Sequence, residues 1–393
     1  MKIAILTSGI LPVPAVKGGA VENLIDYYLD YNDRYHLHDI TVYSVGDPQT
    51  AGHRALTSDV NHYYYIEIWS LWSKVCKHIH KLIHGLQYYH YTIEYYLARA
   101  LSDIARKDYD MVIIENRPGY AISVATKTNV RIMLHLHNDF LNADVRNADA
   151  IYRSLSRVIA VSDFIRRRVK TVNSYDEKCL TVWNGIDLSN FSSECVQEID
   201  RKNLGLSDDN FVIVYSGRMI KEKGIAELID AMTLLKHVEN IKLLVIGGTF
   251  FGDDHHDNDF TCKLKETAKE LGNKIVFTGF VPYSDVPAYL KMADVAIIPS
   301  QWDEPFGLTC VESMAMSLPV IATDRGGIPE ILNECCAKII PTGANFPERL
   351  SAAILYLYHH PDECRAMGQA ALTASRRFSK ERYAKEFFNS LKF

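Results

Sequence analysis

Short, nearly continuous apolar runs recur along this chain, and stretches of helical period separate them. In the first half the runs are 3–7, 40–45, 63–68, 111–115, 131–139, 158–161 and 180–182. In the second half they are 211–215, 241–246, 274–278, 295–298, 320–322 and 338–340. Strands buried on both faces of a parallel sheet read this way, with β-branched residues and little alternation. Between them lie helical stretches: one from about Val21 that aligns Leu24, Ile25, Tyr28 and Leu29, a long one over 69–106, and shorter ones over 224–236, 260–271, 284–292 and 308–316. The order strand, helix, strand predicts α/β architecture with helices on both faces of a parallel sheet.

The pattern runs through twice. A polar, poorly periodic linker over 188–210 separates the two rounds, and 393 residues are long for a single core. The expected organisation is a first domain over 1–187 and a second over 188–372, with a cleft between them. A final amphipathic helix over 379–391, within a segment 373–393, is expected to pack back on the first domain.

Bulk composition narrows the function class without naming it. A hydrophobic share of 48% and a charged share of 23% are those of an ordinary globular protein. A formal charge of -5 argues against general nucleic-acid affinity. The 8 cysteines show no metal-ribbon spacing and read as reduced thiols. No apolar run approaches the ~20 residues of a membrane span, and Met1-Lys2 leads straight into a strand with no signal-peptide core. The expected location is the cytoplasm. The helix over 69–106 interleaves Lys74, Lys77, His78, His80, Lys81 and His84 with Trp69, Trp72, Val75 and Ile79. It reads either as a membrane-surface helix or as a solvated basic face.

Candidate chemistry sits where strands end. Between the runs at 295–298 and 320–322 lies Asp303-Glu304-Pro305-Phe306-Gly307-Leu308-Thr309-Cys310-Val311-Glu312. Two carboxylates bracket a turn at a helix N-terminus, where free backbone N–H groups suit a phosphate. Carboxylates on either side suit hydroxyls, so sugar, phosphate and ribose fit in that order. After the strand at 211–215 comes Ser216-Gly217-Arg218-Met219-Ile220-Lys221-Glu222-Lys223-Gly224. Arg218 as a fork and Lys223 as a point charge could hold a pyrophosphate. Gly18-Gly19 precedes the first helix, and Gly326-Gly327-Ile328-Pro329-Glu330 forms a second glycine turn, each either a ligand contact or a plain turn.

His135 and His137 share one strand face, with His137 at its carboxyl end; as metal ligands they lack a third clear partner. The run Gly252-Asp253-Asp254-His255-His256-Asp257-Asn258-Asp259 has metal-binding residue types but no EF-hand order, and Asp259 suits a helix cap.

Together these residues resemble the retaining glycosyltransferases of family four. Their pattern of Glu, seven residues, Glu stands here as Glu304 to Glu312, after Pro299-Ser300 and before Pro319-Val320-Ile321-Ala322-Thr323. The 217–224 segment, Thr278-Gly279-Phe280, Asn184-Gly185-Ile186-Asp187 and Gly18-Gly19 match as well. The resemblance covers nearly the whole chain and implies a GT-B fold, two Rossmann-like domains. It implies that Glu304 binds donor-sugar hydroxyls and Glu312 ribose hydroxyls. Arg218 and Lys223 would hold the diphosphate beside Gly217, with Phe306, Gly307, Leu308 and Thr309 contacting sugar and phosphate. Phe280 and Val281 would flank the base, and Gly18, Gly19 and His137 would complete the site.

The implied reaction is metal-independent retaining transfer, with no cofactor, from a nucleotide diphosphate sugar to a saccharide or lipid-linked saccharide in envelope-glycan or polysaccharide synthesis. A uridine diphosphate sugar is the expected donor, guanosine diphosphate mannose the next, and peripheral membrane association fits such an acceptor. Alternatives are a nucleotide-sugar epimerase of the same fold and a non-catalytic nucleotide-sugar-binding protein. The chain departs from the family at Ser317, where glycine is usual, and 49–107 matches no family pattern.

Overall fold

The computed structural model describes residues 1–68, 72, 75, 78–79, 95–175, 177–192, 199–248 and 259–392. They form two compact units. Unit 1 is Met1–Asn184 with Lys380–Phe393, and unit 2 is Gly185–Ser379.

Unit 1 holds seven parallel strands among the described residues: β1 (Lys2–Leu6), β2 (Asp39–Val45), β3 (Asn61–Ile66), β4 (Met111–Glu115), β5 (Arg131–Leu136), β6 (Arg157–Ala160) and β7 (Cys179–Thr181). Their order is β3-β2-β1-β4-β5-β6-β7. Every residue of β4 is buried, as its unbroken Met-Val-Ile-Ile run requires. Two expected strands are corrected. The third begins at Asn61 and stops at Ile66 rather than spanning 63–68, and the fifth ends at Leu136, so His137 is the first residue beyond it. Helices at Tyr120–Lys127 and Ala148–Ser154 were not expected. At eight and seven residues they are too short to carry a clear period. Of the long helical stretch, Trp72, Val75, His78, Ile79 and the residues from Tyr95 on, with a helix at Tyr95–Ile104, fall among the described residues. In the basic half Trp72, Val75 and Ile79 are exposed, while Lys74, Lys77, His80, Lys81 and His84 lie outside the described residues.

The C-terminal helix Lys380–Ser390 belongs to unit 1. Tyr383, Ala384, Phe387, Phe388 and Leu391 join the core formed by Ile3, Ile5, Leu24, Tyr28 and Ile113. Phe387 stacks on Tyr28 with ring centroids 4.2 Å apart. A buried side chain of this size contributes about 1.5–3 kcal/mol, which ties the chain end to the first helix.

Unit 2 repeats the plan with β8 (Phe211–Ser216), β9 (Ile241–Ile246), β10 (Ile275–Gly279), β11 (Val295–Ile298), β12 (Val320–Thr323) and β13 (Ala337–Ile340). The order is β10-β9-β8-β11-β12-β13, and all these pairs are parallel. The linker contains a short helical turn, Arg201–Leu204. The acidic run lies outside the described residues except for Asp259, the first residue of helix Asp259–Lys269. No helix among the described residues is long and apolar enough to cross a membrane.

In each sheet the strand order reverses at one place: between β1 and β4 in unit 1, and between β8 and β11 in unit 2. Loops leaving neighbouring strands in opposite directions open a crevice there, which is where open α/β sheets bind ligands.

Candidate functional site

The basic loop leaves β8 and the carboxylate loop leaves β11, so the two predicted segments flank the switch point of unit 2. The structure joins them. Lys223 Nζ donates to Glu304 Oε1 at 2.5 Å, and Ser300 Oγ donates to the same oxygen at 2.5 Å. The backbone N–H of Gln301 donates to the carbonyl of Glu222 at 2.8 Å. Gly224 has no room for a side chain, since a Cβ there would lie 1.8 Å from the carbonyl oxygen of Pro299. Glu304 is only 6% exposed, so its charge needs these partners.

The second glycine turn has a structural task in the same place. The N–H of Gly327 donates to the carbonyl of Glu304 at 2.7 Å. A Cβ on Gly326 would meet that carbonyl oxygen at 2.1 Å. The turn therefore clamps the Glu304 backbone, a role absent from both sequence readings of Gly326-Gly327. Asp303 next to it pairs with Arg325 at 3.1 Å.

Gly307 is the N-cap of helix Leu308–Ala315, with φ of 112°. Among the described residues no side chain caps this helix, so its first N–H groups remain available to an anion. Leu308 and Thr309 lie in its first turn, half-buried, and Phe306 is buried against Phe378. Glu312, one turn further, is buried and accepts from Tyr283 Oη at 2.9 Å. Burial pushes its carboxyl up to about 7, against the opposing pull of the Tyr283 hydrogen bond. Arg218 is positioned by its backbone, whose carbonyl accepts from Tyr215 Oη at 2.6 Å. Gly217 extends β8 by one more rung, its N–H donating to Ile246 O. Phe280 and Val281 follow β10, Phe280 being exposed.

Unit 1 holds the other predicted residues. Gly18 and Gly19 have φ of 71° and 107°, and Gly19 caps helix Ala20–Tyr35. Glu22 folds back over Gly19, its Oε2 2.2 Å from where a Gly19 Cβ would sit. Strand alternation is observed at the histidines: the His135 and His137 rings are 4.1 Å apart. The third partner that sequence could not supply is Glu115. It ends β4 and sits beside His135 in the parallel register. Its carboxylate, fully buried, meets His137 Nε2 at 2.9 Å and His135 Nδ1 at 3.1 Å. Candidate ligand atoms of the three lie within 4.8 Å of one another.

Ser300, Tyr283 and Glu115 had no role in the sequence reading. Ser300 stood inside the recognised Pro299-Ser300 pair. Tyr283 and Glu115 carried no signal beyond their place just after a strand or at its end.

The family described as Glycosyl transferases group 1 matches residues 196–373, and the one described as Glycosyltransferase Family 4 matches residues 34–190. The Bacillus subtilis (strain 168) protein YtcC is 28% identical over 90% of this chain and 82% of its own length. The lipopolysaccharide 1,2-N-acetylglucosaminetransferase of Salmonella typhimurium (strain LT2) is 28% identical over 52% of this chain and 51% of its own. Among solved structures, Anabaena Alr3699/HepE in complex with UDP-glucose superimposes with a TM-score of 0.74 at 21% identity, covering 100% of this chain and 99% of that one. One matched domain covers most of each unit, the fold is shared along the full length, and the chain belongs to the glycosyltransferases that combine these two domains in the GT-B architecture.

Proposed function

We propose that this protein moves a sugar, with retention of anomeric configuration and without a metal, from a uridine diphosphate sugar to a saccharide or lipid-linked saccharide during glycan synthesis. The observation that carries the reading is the Lys223–Glu304 pair at the switch point of unit 2, beside the uncapped helix N-terminus at Gly307.

Departure of the nucleotide diphosphate builds negative charge on phosphate oxygens. Preorganised cations and N–H dipoles stabilise such charge best. Lys223, Arg218 and the first turn of Leu308–Ala315 supply them. Lys223 and Ser300 both use Oε1 of Glu304, which leaves Oε2 to accept from sugar hydroxyls. Tyr283 uses Oε1 of Glu312, which leaves its second oxygen for ribose. Both carboxylates thus act as hydroxyl acceptors rather than as nucleophile and acid. The departing phosphate then takes the proton of the attacking hydroxyl on the same face, which retains configuration.

Three strands of support meet here. The Anabaena structure holds UDP-glucose, the Salmonella relative is named for N-acetylglucosamine transfer to lipopolysaccharide, and Gly18, Gly19 and His137 lie at the corresponding sheet edge of unit 1.

The test is a thermal-shift screen over nucleotide sugars, followed by product analysis with the stabilising donor. Stabilisation follows ligand affinity and concentration. Stabilisation by a uridine diphosphate sugar, transfer undiminished by a chelator, and a product with the donor's anomeric configuration support the proposal. Inverted product, or donor epimerised with no acceptor present, defeats it.

A further inference from the structure

Unit 1 contains a buried polar network beyond the residues of the donor motif. Glu115 accepts three hydrogen bonds: from Tyr28 Oη at 3.0 Å, from His137 at 2.9 Å and from His135 at 3.2 Å. Burial alone would raise its carboxyl. The charge and hydrogen bond of His135, and then those of His137, hold it well below the usual range instead. Tyr383 and Phe387 of the C-terminal helix close the network from within unit 1, their rings 6.3 and 5.2 Å from that of His135.

An ionised carboxylate only accepts, so the ring nitrogens facing Glu115 carry protons. His137 therefore has its proton on Nε2. Burial and the neighbouring His135 push the His137 imidazole down to about 4, so the ring is neutral near pH 7. A neutral ring with Nε2–H bears a bare lone pair on Nδ1. That Nδ1 is buried and finds no hydrogen-bond partner among the described residues. The ring is also fixed at its base, because the backbone N–H of His137 donates to Asn116 Oδ1 at 3.1 Å.

A metal ion offers another account of the same three residues, and the geometry disfavours it. Metal-ligating histidines pass their other ring N–H to a carboxylate or carbonyl. Here those other atoms are His135 Nε2 and His137 Nδ1, and neither has an acceptor among the described residues. Metal binding would leave two buried donors orphaned. The hydrogen-bonded arrangement orphans at most His135 Nε2 as a donor, and it leaves Nδ1 of His137 as an unfilled acceptor, which a hydroxyl can fill.

We propose that Glu115 is a positioning residue: by taking the Nε2–H of His137 it fixes the ring's tautomer and reserves Nδ1 to accept from a hydroxyl of a saccharide bound by unit 1. The proposal rests on the reading of this protein as a sugar transferase that uses His137.

The test reads the tautomer directly, by long-range proton–nitrogen NMR on protein labelled at histidine, with His137 assigned from the His137→Gln spectrum. At pH 7 the wild-type ring shows a protonated Nε2 and an unprotonated Nδ1. In Glu115→Gln, whose amide both donates and accepts, the two tautomers mix, and kcat/KM for transfer falls about tenfold, as for other residues that orient a histidine. Uridine diphosphate affinity, a property of unit 2, stays the same. Glu115→Asp, with the carboxylate drawn back, shifts the tautomer ratio the same way and covers the case in which Glu115→Gln fails to fold.

A wild-type ring protonated on Nδ1, a tautomer unchanged in both variants, or zinc ions that shift both histidines together would each overturn the proposal. Failure of the transferase reading looks different: no transfer by the wild type, with the tautomer as stated.

Discussion

Lys223 and Glu304 stand 81 residues apart in the chain, and their side chains meet at 2.5 Å. The pair joins the loop after β8 to the loop after β11 across the reversal of strand order in unit 2. With Lys223 replaced, Glu304 keeps Ser300 but loses its cation while only 6% exposed. Breaking a buried pair on one side costs about 3–5 kcal/mol; with Lys223 a quarter exposed, a loss of roughly 1–3 kcal/mol is expected by the same argument. Lys223→Met should therefore lower the melting temperature, and adding Glu304→Gln should restore most of the loss. Transfer should fall about 100-fold or more in each single variant and stay low in the double variant. Thermal melts and single-turnover rates on the four proteins check this, and recovery of transfer together with stability would sink the assignment.

Glu312 predicts a pH dependence of nucleotide binding. Its carboxyl is raised to about 7 by burial. Ribose hydroxyls donate hydrogen bonds and so favour the ionised form. Below pH 7 binding must first expel a proton, and above it the carboxylate is ready. Affinity for uridine diphosphate should rise as pH increases from 6 to 7, then level off. The same shift makes the free protein slightly more stable at low pH, because a raised carboxyl pKa favours the fold below it. Calorimetry in two buffers of different ionisation enthalpy should show proton release near pH 6.5, and Glu312→Gln should flatten both effects.

Two backbone positions predict changes of opposite sign. Ser317 ends helix Leu308–Ala315 with φ of 61°, the left-handed region in which the family's glycine carries no strain. Its carbonyl oxygen lies 2.2 Å from where a Gly368 Cβ would be, so the backbone there is held. Ser317→Gly should be neutral or stabilising by up to about 1 kcal/mol, strain relief being offset by unfolded-chain entropy. Gly326→Ala should do the reverse, because its Cβ has no room beside the Glu304 carbonyl. A drop in both melting temperature and transfer is expected, since the displaced group is the carboxylate's own backbone.

What the sequence revealed and what it hid divide along physical lines. Local signals were legible. The βα alternation appears in both units, and β4 falls on 111–115 as expected. The helix start at Gly307 was legible because apolar strand, polar loop and helical period follow one another there. Long-range pairings were not legible. Glu115 reaches His135 only through the parallel register of β4 and β5, which no spacing encodes. The clamp of Gly326-Gly327 on Glu304 depends on a backbone approach, whereas sequence shows only two glycines and leaves ligand contact and plain turn equally open. Tyr283 likewise meets Glu312 only through the packing of unit 2.

Glu22 provides the last prediction, on the stability of unit 1. It is buried over Gly19, and burial, then the nearby charge of Glu115, raise its carboxyl to about 7 although its own backbone N–H pulls the other way. A raised carboxyl pKa contributes stability at pH values below the folded value that is lost as pH rises through it. Asp26, one turn on and raised to about 7 chiefly by burial, adds in the same direction. His137, lowered, opposes them between about pH 4 and its ordinary value, so the slope of the wild type alone is ambiguous. The difference between wild type and Glu22→Gln isolates one group. The amide keeps the shape and carries no charge, so the variant should match the wild type near pH 5. By pH 8 it should be more stable by roughly 1–3 kcal/mol, the cost of ionising a buried carboxyl. Hydrogen exchange over helix Ala20–Tyr35 at the two pH values measures this within unit 1. An equal offset at both would show that Glu22 ionises freely and that its burial has no electrostatic cost.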